Sequence, residues 1–225
     1  MRFARLFVFA LLVAAPTVLR AQDSIGPVYS AWMSAGWHAP IANNSRISLQ
    51  RSLFVAGIER RFPLTSGRFG SLSWAPSVLP AVRTTNNLRL TAIACTGASA
   101  ASRTATVVSV NKQCYRGDPY SAFGIGVLPL AFHWETAMQR RFALVSDLDG
   151  GGVLFDGRLP VTDGGHLSGT RFNFAARAGI DGVVRVTDRA WLSAGYRHLH
   201  LSNAGFGGIN PGIDAPLAAL GVAWR

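Results

Sequence analysis

His200, Ser202, Asn203 and Gly205 stand within a run of six residues, and Asp214 follows the histidine by fourteen positions. A serine hydrolase needs these groups. The hydroxyl attacks an acyl carbon and the imidazole takes its proton. A carboxylate holds the imidazole's tautomer and its positive form, and amide groups receive the oxyanion. The spacing has meaning only on a strand, where side chains two apart share a face with Cα atoms about 6.6–6.8 Å apart. There His200 can lean across to Ser202. An antiparallel return through residues 203–213 would set Asp214 beside His200 or Ser202 at the start of the next strand. Gly205 can offer a backbone N–H, and Asn203 a side-chain amide, as oxyanion donors. The triplet alone is no signature. His166-Leu167-Ser168 repeats it in a Gly-rich loop, with Ile180 in the place equivalent to Asp214.

The segment leading to the site alternates. Leu192, Ala194, Tyr196 and His198 share the face of His200 and Ser202, while Ser193 and Arg197 take the other. The first series grows more apolar toward the strand's start, so it is expected to face lipid and Arg197 the interior. Period-two alternation recurs along the chain. It predicts strands over residues 29–37, within 49–62, over 71–82 (weakened by Pro76 and Pro80), 120–133, 142–155, 172–181, 191–202 and 217–224. Residues 64–70 read as a turn and 84–119 as the longest irregular region, although 88–94 could extend a strand. Gly150-Gly151-Gly152 is expected to form a bulge, and 156–168 a Gly/Asp-rich loop. Eight strands with short turns alternating with longer loops predict an all-β fold, an eight-stranded antiparallel outer-membrane β-barrel with both termini on the periplasmic side. A secreted soluble barrel or sandwich is the alternative architecture.

Arg2 and Arg5 precede an apolar run from Leu6 to Ala15, Pro16 breaks it, and Ala21 offers a small residue for cleavage. This pattern predicts a signal peptide over 1–21 and one mature domain over 22–225. The run is too short for a membrane-spanning helix, which needs about 20 residues. Mean hydropathy is +0.23 and charged residues make up 15%, against about 25% in soluble domains. An exported, apolar chain without a spanning helix again points to membrane strands. The formal charge of +11 falls to +8 when Arg2, Arg5 and Arg20 leave with the signal. Lys112 is the only lysine. Arginine grips phosphate with two parallel donors, and export disfavours nucleic acid, so phosphorylated lipid is the expected partner. Cys95 and Cys114 are the only cysteines and are expected to pair across a long loop. Asp147, Asp149 and Asp156 lack a calcium-loop pattern and read as solvated turn residues. No metal or other cofactor is expected.

Gly195-Tyr196-Arg197, His200-Leu201-Ser202-Asn203-Ala204-Gly205 and Asn210-Pro211-Gly212-Ile213-Asp214 resemble the signature of the lipid A 3-O-deacylase family, the PagL-type acyloxyacyl hydrolases. Outside 195–214 the chain agrees in length, signal peptide and strand pattern. The resemblance implies an eight-stranded outer-membrane barrel with a Ser-His-Glu triad on its lipid-facing side. It implies removal of the ester-linked 3-hydroxyacyl chain at the 3-position of lipid A. Carried onto this chain, Ser202 is the nucleophile, His200 the general base and Asp214 the acid, while Asn203 and Gly205 match residues linked to the oxyanion site. Asp214 departs from the family's usual glutamate. It is one methylene shorter, so the returning chain must approach more closely. The expected protein is therefore a lipopolysaccharide-modifying esterase of the bacterial outer membrane, acting on lipid A in the outer leaflet; a homodimer is compatible with the chain. A non-catalytic structural or adhesion barrel with a degenerate site is the reading from another class. It needs no alignment of His200, Ser202 and Asp214.

Overall fold

The computed structural model describes residues 28–38, 51–93, 106–110, 113–137, 141–159, 170–206 and 213–225. The expected signal peptide, the His166-Leu167-Ser168 triplet, Cys95 and Asn210-Pro211-Gly212 lie outside them. The strands are β1 (Val28–His38), β2 (Arg51–Gly67), β3 (Gly70–Trp74), β4 (Ser77–Ile93), β5 (Thr106–Val110), β6 (Gln113–Thr136), β7 (Phe142–Phe155), β8 (Phe172–Thr187), β9 (Ala190–Ser202) and β10 (Ile213–Trp224). All pair antiparallel. Eight of them close a ring, β1-β2-β4-β6-β7-β8-β9-β10, with β10 returning to β1. Closure leaves no sheet edge to lipid, as a membrane-spanning sheet requires.

β3 and β4 are two lengths of one barrel strand. Pro76 has no N–H to give, so the ladder breaks at Ala75-Pro76. Neighbours bridge the break: Ala75 N–H donates to the Ala131 carbonyl at 2.9 Å, and Arg60 N–H donates to the Pro76 carbonyl at 3.3 Å. β4 and β6 run on through much of the region expected to be irregular, with Ile93 opposite Cys114, and β5 adds a hairpin onto β6. β2 likewise continues to Gly67, so the expected turn shrinks to Arg68 and Phe69.

The expected bulge at Gly150-Gly151-Gly152 lies on the facing strand. Val127 pairs Gly152 and Leu130 pairs Gly150, so the extra residue sits in β6, at Leu128-Pro129. β7 runs straight beneath it. A Cβ at Gly151 would strike the Val127 carbonyl oxygen, which is why the bulged strand needs glycine opposite.

The faces are inverted relative to a water-soluble barrel. Outward side chains include Met33, Ile58, Ile125, Leu148, Ile180, Leu192 and Leu220, all exposed. The interior at mid-height and toward the termini is charged, with Glu59, Asp147, Asp149, Arg177, Asp181 and Arg197 buried. Asp147 and Asp149, expected as solvated turn residues, instead meet arginines inside the barrel, because inward alternation on β7 removes them from the surface. Arg177 pairs with Asp149 and lies 3.7 Å from Asp147. Arg197 Nη2 donates to Asp181 at 2.8 Å. The Trp32 ring packs against both guanidiniums, with its centre 4.0 Å from that of Arg177 and 4.4 Å from that of Arg197. Toward the other mouth the lumen is filled by Leu53, Leu79, Val82, Leu128, Phe155, Leu199, Leu201 and Leu217.

Candidate active site

The site forms where β9 ends between β8 and β10. His200 stands opposite Asp214 on β10 and Ala176 on β8, and Ser202 stands opposite Phe174. Asp214 is two residues into β10, so pairing register alone brings the carboxylate to the imidazole. His200 Nδ1 lies 2.7 Å from Asp214 Oδ1. A hydrogen bond to a carboxylate makes Nδ1 the protonated nitrogen and leaves Nε2 as the acceptor. His198, one outward position earlier, reaches the same Oδ1 at 3.5 Å through Nε2. Ala178 and Pro216 flank it on the neighbouring strands.

After Ser202 the backbone turns through two left-handed residues, Ala204 with φ 52° and Gly205 with φ 83°. Glycine accepts this readily; for alanine it costs about 1–2 kcal/mol. The turn points two N–H groups back. Ala204 N–H donates to Ser202 Oγ at 3.1 Å, and Gly205 N–H donates to Asn203 Oδ1 at 2.9 Å. Asn203 is 1% exposed. The Gly205 N–H, expected to face an oxyanion, is thus engaged by Asn203 in this structure.

A trough of about 470 Å³ opens on the barrel's outer wall beside His200 and Ser202. Its floor is Ala176 on β8 and Gly150 and Gly152 on β7, where small residues leave space. Its walls are Val127, Pro129 and Leu130 on β6 and Phe172 and Phe174 on β8. The trough runs across three strand spacings, about 14 Å. Sequence reasoning missed it because its walls come from strands far apart in the chain. The available signal was the Gly150-Gly152 run on an otherwise apolar outward face. Of the sequence-expected residues, the structure gathers His200, Ser202, Asn203, Gly205 and Asp214 at one mouth of the barrel. Cys114 stands on β6, but its expected partner Cys95 lies outside the described residues.

The model of the family described as lipid A 3-O-deacylase (PagL) matches residues 94–223 of this chain. Among solved structures, the chain is similar to the crystal structure of the outer membrane enzyme PagL, with 16% identity. That match covers 87% of this chain and 98% of that one, at a TM-score of 0.49. It is also similar to the crystal structure of Neisserial surface protein A (NspA), with 14% identity, covering 89% and 99%, at a TM-score of 0.47. No curated protein matches it significantly. None of these comparisons supports a homodimer. The family match spans more than half of the chain and contains the whole of β9 with the turn and carboxylate that follow. The chain therefore belongs to the lipid A 3-O-deacylase (PagL) family, as a β-barrel of the bacterial outer membrane.

Proposed function

We propose that this protein is an outer-membrane serine esterase that removes the ester-linked 3-hydroxyacyl chain at the 3-position of lipid A. Ser202 is the nucleophile, His200 the base and Asp214 the orienting acid. The observation that carries the reading is the 2.7 Å contact between Asp214 and His200, on the wall of an apolar trough that Ser202 also lines. The shorter carboxylate reaches the imidazole through strand register, so the missing methylene leaves no gap. The trough suits an acyl chain, and its position on the outer wall suits a substrate that stays in the leaflet.

In this reaction Ser202 Oγ attacks the ester carbonyl carbon while its proton passes to His200 Nε2. Asp214 steadies the imidazolium that results. The tetrahedral oxyanion is taken by the Asn203 side-chain N–H, whose amide plane is fixed by the Gly205 N–H on Oδ1. Collapse breaks the ester C–O bond, and the departing sugar oxygen takes the proton from His200. Water, deprotonated by the same imidazole, then releases the 3-hydroxy fatty acid and restores Ser202.

Mass spectrometry of lipid A from cells carrying the protein or Ser202→Ala tests the reading. Loss of one 3-hydroxyacyl chain is expected with the parent and none with the variant. Unchanged lipid A in membranes that hold the folded parent protein would refute the substrate.

A further inference from the structure

Among the described strand side chains, the lipid-facing wall carries few charged residues. Asp214 has its histidines. The others are two arginines, Arg60 on β2 and Arg83 on β4. We infer that Arg60, with Tyr29 and Trp224, forms a binding site for the phosphodiester of a glycerophospholipid in the periplasmic leaflet.

Register places the three residues in one row across β10, β1 and β2: Trp224 opposite Tyr29, and Tyr29 opposite Arg60. The Tyr29 and Trp224 rings stack at 6.3 Å with 23° between planes. The Arg60 guanidinium lies 4.8 Å from the Phe62 ring and 5.6 Å from the Tyr29 ring. Two rings therefore pin the cation, but rings accept none of its five N–H bonds. No described side chain forms an ion pair with Arg60: the nearby Glu59 faces inward and pairs with Arg61 at 3.0 Å. A guanidinium fork held over aromatic rings, in one row with a tyrosine and a tryptophan that can each donate a hydrogen bond, suits phosphate oxygens.

The height of the row fits a lipid headgroup. Trp224 pairs with Ala190 at the start of β9, and Ser202 ends that strand. Twelve residues of strand tilted by about 45° rise roughly 29 Å across the membrane, close to the hydrocarbon thickness of about 30 Å. The row therefore lies at the membrane surface opposite the catalytic mouth. It lies at the end with the tight connections at Arg68-Phe69 and Asp188-Arg189, and short turns mark the periplasmic end of such barrels. From the row toward mid-membrane the wall is Met33, Ile58, Leu220 and Val222, all exposed and apolar, where acyl chains would lie.

Native mass spectrometry of the folded, delipidated protein tests this. Dioleoylphosphatidylglycerol and dioleoylglycerol are titrated separately, in an Arg83→Gln background that removes the other lipid-facing guanidinium. Hydrogen bonds to a charged phosphate predict about tenfold tighter binding of phosphatidylglycerol. Arg60→Gln is expected to abolish that preference. Tyr29→Leu with Trp224→Leu keeps the cation and is expected to lower the preference severalfold, which serves should Arg60→Gln fail to fold. Excess inorganic phosphate is expected not to displace the lipid. Equal binding of the two lipids, a preference unaltered by either set of substitutions, or displacement by free phosphate would each overturn the site.

Discussion

Gly150→Leu should shorten the acyl chain that the enzyme handles best. Gly150 faces outward in the row His200-Ala176-Gly150-Leu130. A Cβ there meets only Leu130, at 3.8 Å from its Cβ and 3.9 Å from its carbonyl oxygen, so the substitution fits without moving backbone. The added isobutyl group takes the room of about three methylenes, each contributing about 0.8 kcal/mol when buried. The loss is then about 2.4 kcal/mol, or roughly 60-fold in kcat/KM for a chain that fills the trough. A chain too short to reach Gly150 should lose nothing. The assay is kcat/KM on esters of increasing acyl length. The parent should gain about fourfold per methylene until the trough is full, and the variant should level off about three methylenes earlier. An unchanged length profile would refute the trough as the acyl site. An equal loss on short and long chains would mean that the substitution disturbs Ser202 or His200 instead.

Three further outcomes are expected. Asp214→Asn should lower kcat by about 10³–10⁴-fold by turning the imidazole to the wrong tautomer. His198→Ala should cost less than about tenfold, since its 3.5 Å approach to Asp214 is at the limit of a hydrogen bond; initial rates on lipid A in mixed micelles compare them, and an equal loss would deny His200 its special place. Trp32→Ala should destabilise the barrel by about 3–5 kcal/mol, because it removes a buried indole that packs against both Arg177 and Arg197. Denaturant unfolding in lipid vesicles measures this, and a change below about 1 kcal/mol would show that the two arginines are held by their carboxylates alone.

Strand order and facing were legible wherever one side of a strand meets lipid. β7 occupies the stretch expected for it, and Leu192, Tyr196 and Arg197 face as their alternation implied. The far length of β6 and all of β5 read as irregular in the sequence, and that of β4 only as a possible extension over 88–94, because no long apolar alternation marks them. A hairpin that runs on beyond the apolar band has no greasy face to mark its period. The closeness of Asp214 to His200 was legible from the antiparallel return. The engagement of Gly205 by Asn203 was not, because it depends on the positive φ of Ala204, a residue that sequence would place in ordinary backbone. The bulge was assigned to the glycines for a sound reason on the wrong strand: they mark where a neighbour bends, and Pro129 does the bending.

The filled lumen has a consequence for the cell that carries it. Leu79, Val82, Leu128, Phe155, Leu199 and Leu201 are each 2% exposed or less, and beneath them Arg177, Arg197 and Trp32 close the bore with paired charge. A barrel stopped in this way offers ions and small solutes no route. The number of copies in the membrane can then rise without loss of the permeability barrier. Planar-bilayer recordings should show a silent protein, so any gain in antibiotic entry that accompanies its expression would trace to altered lipid rather than to the bore.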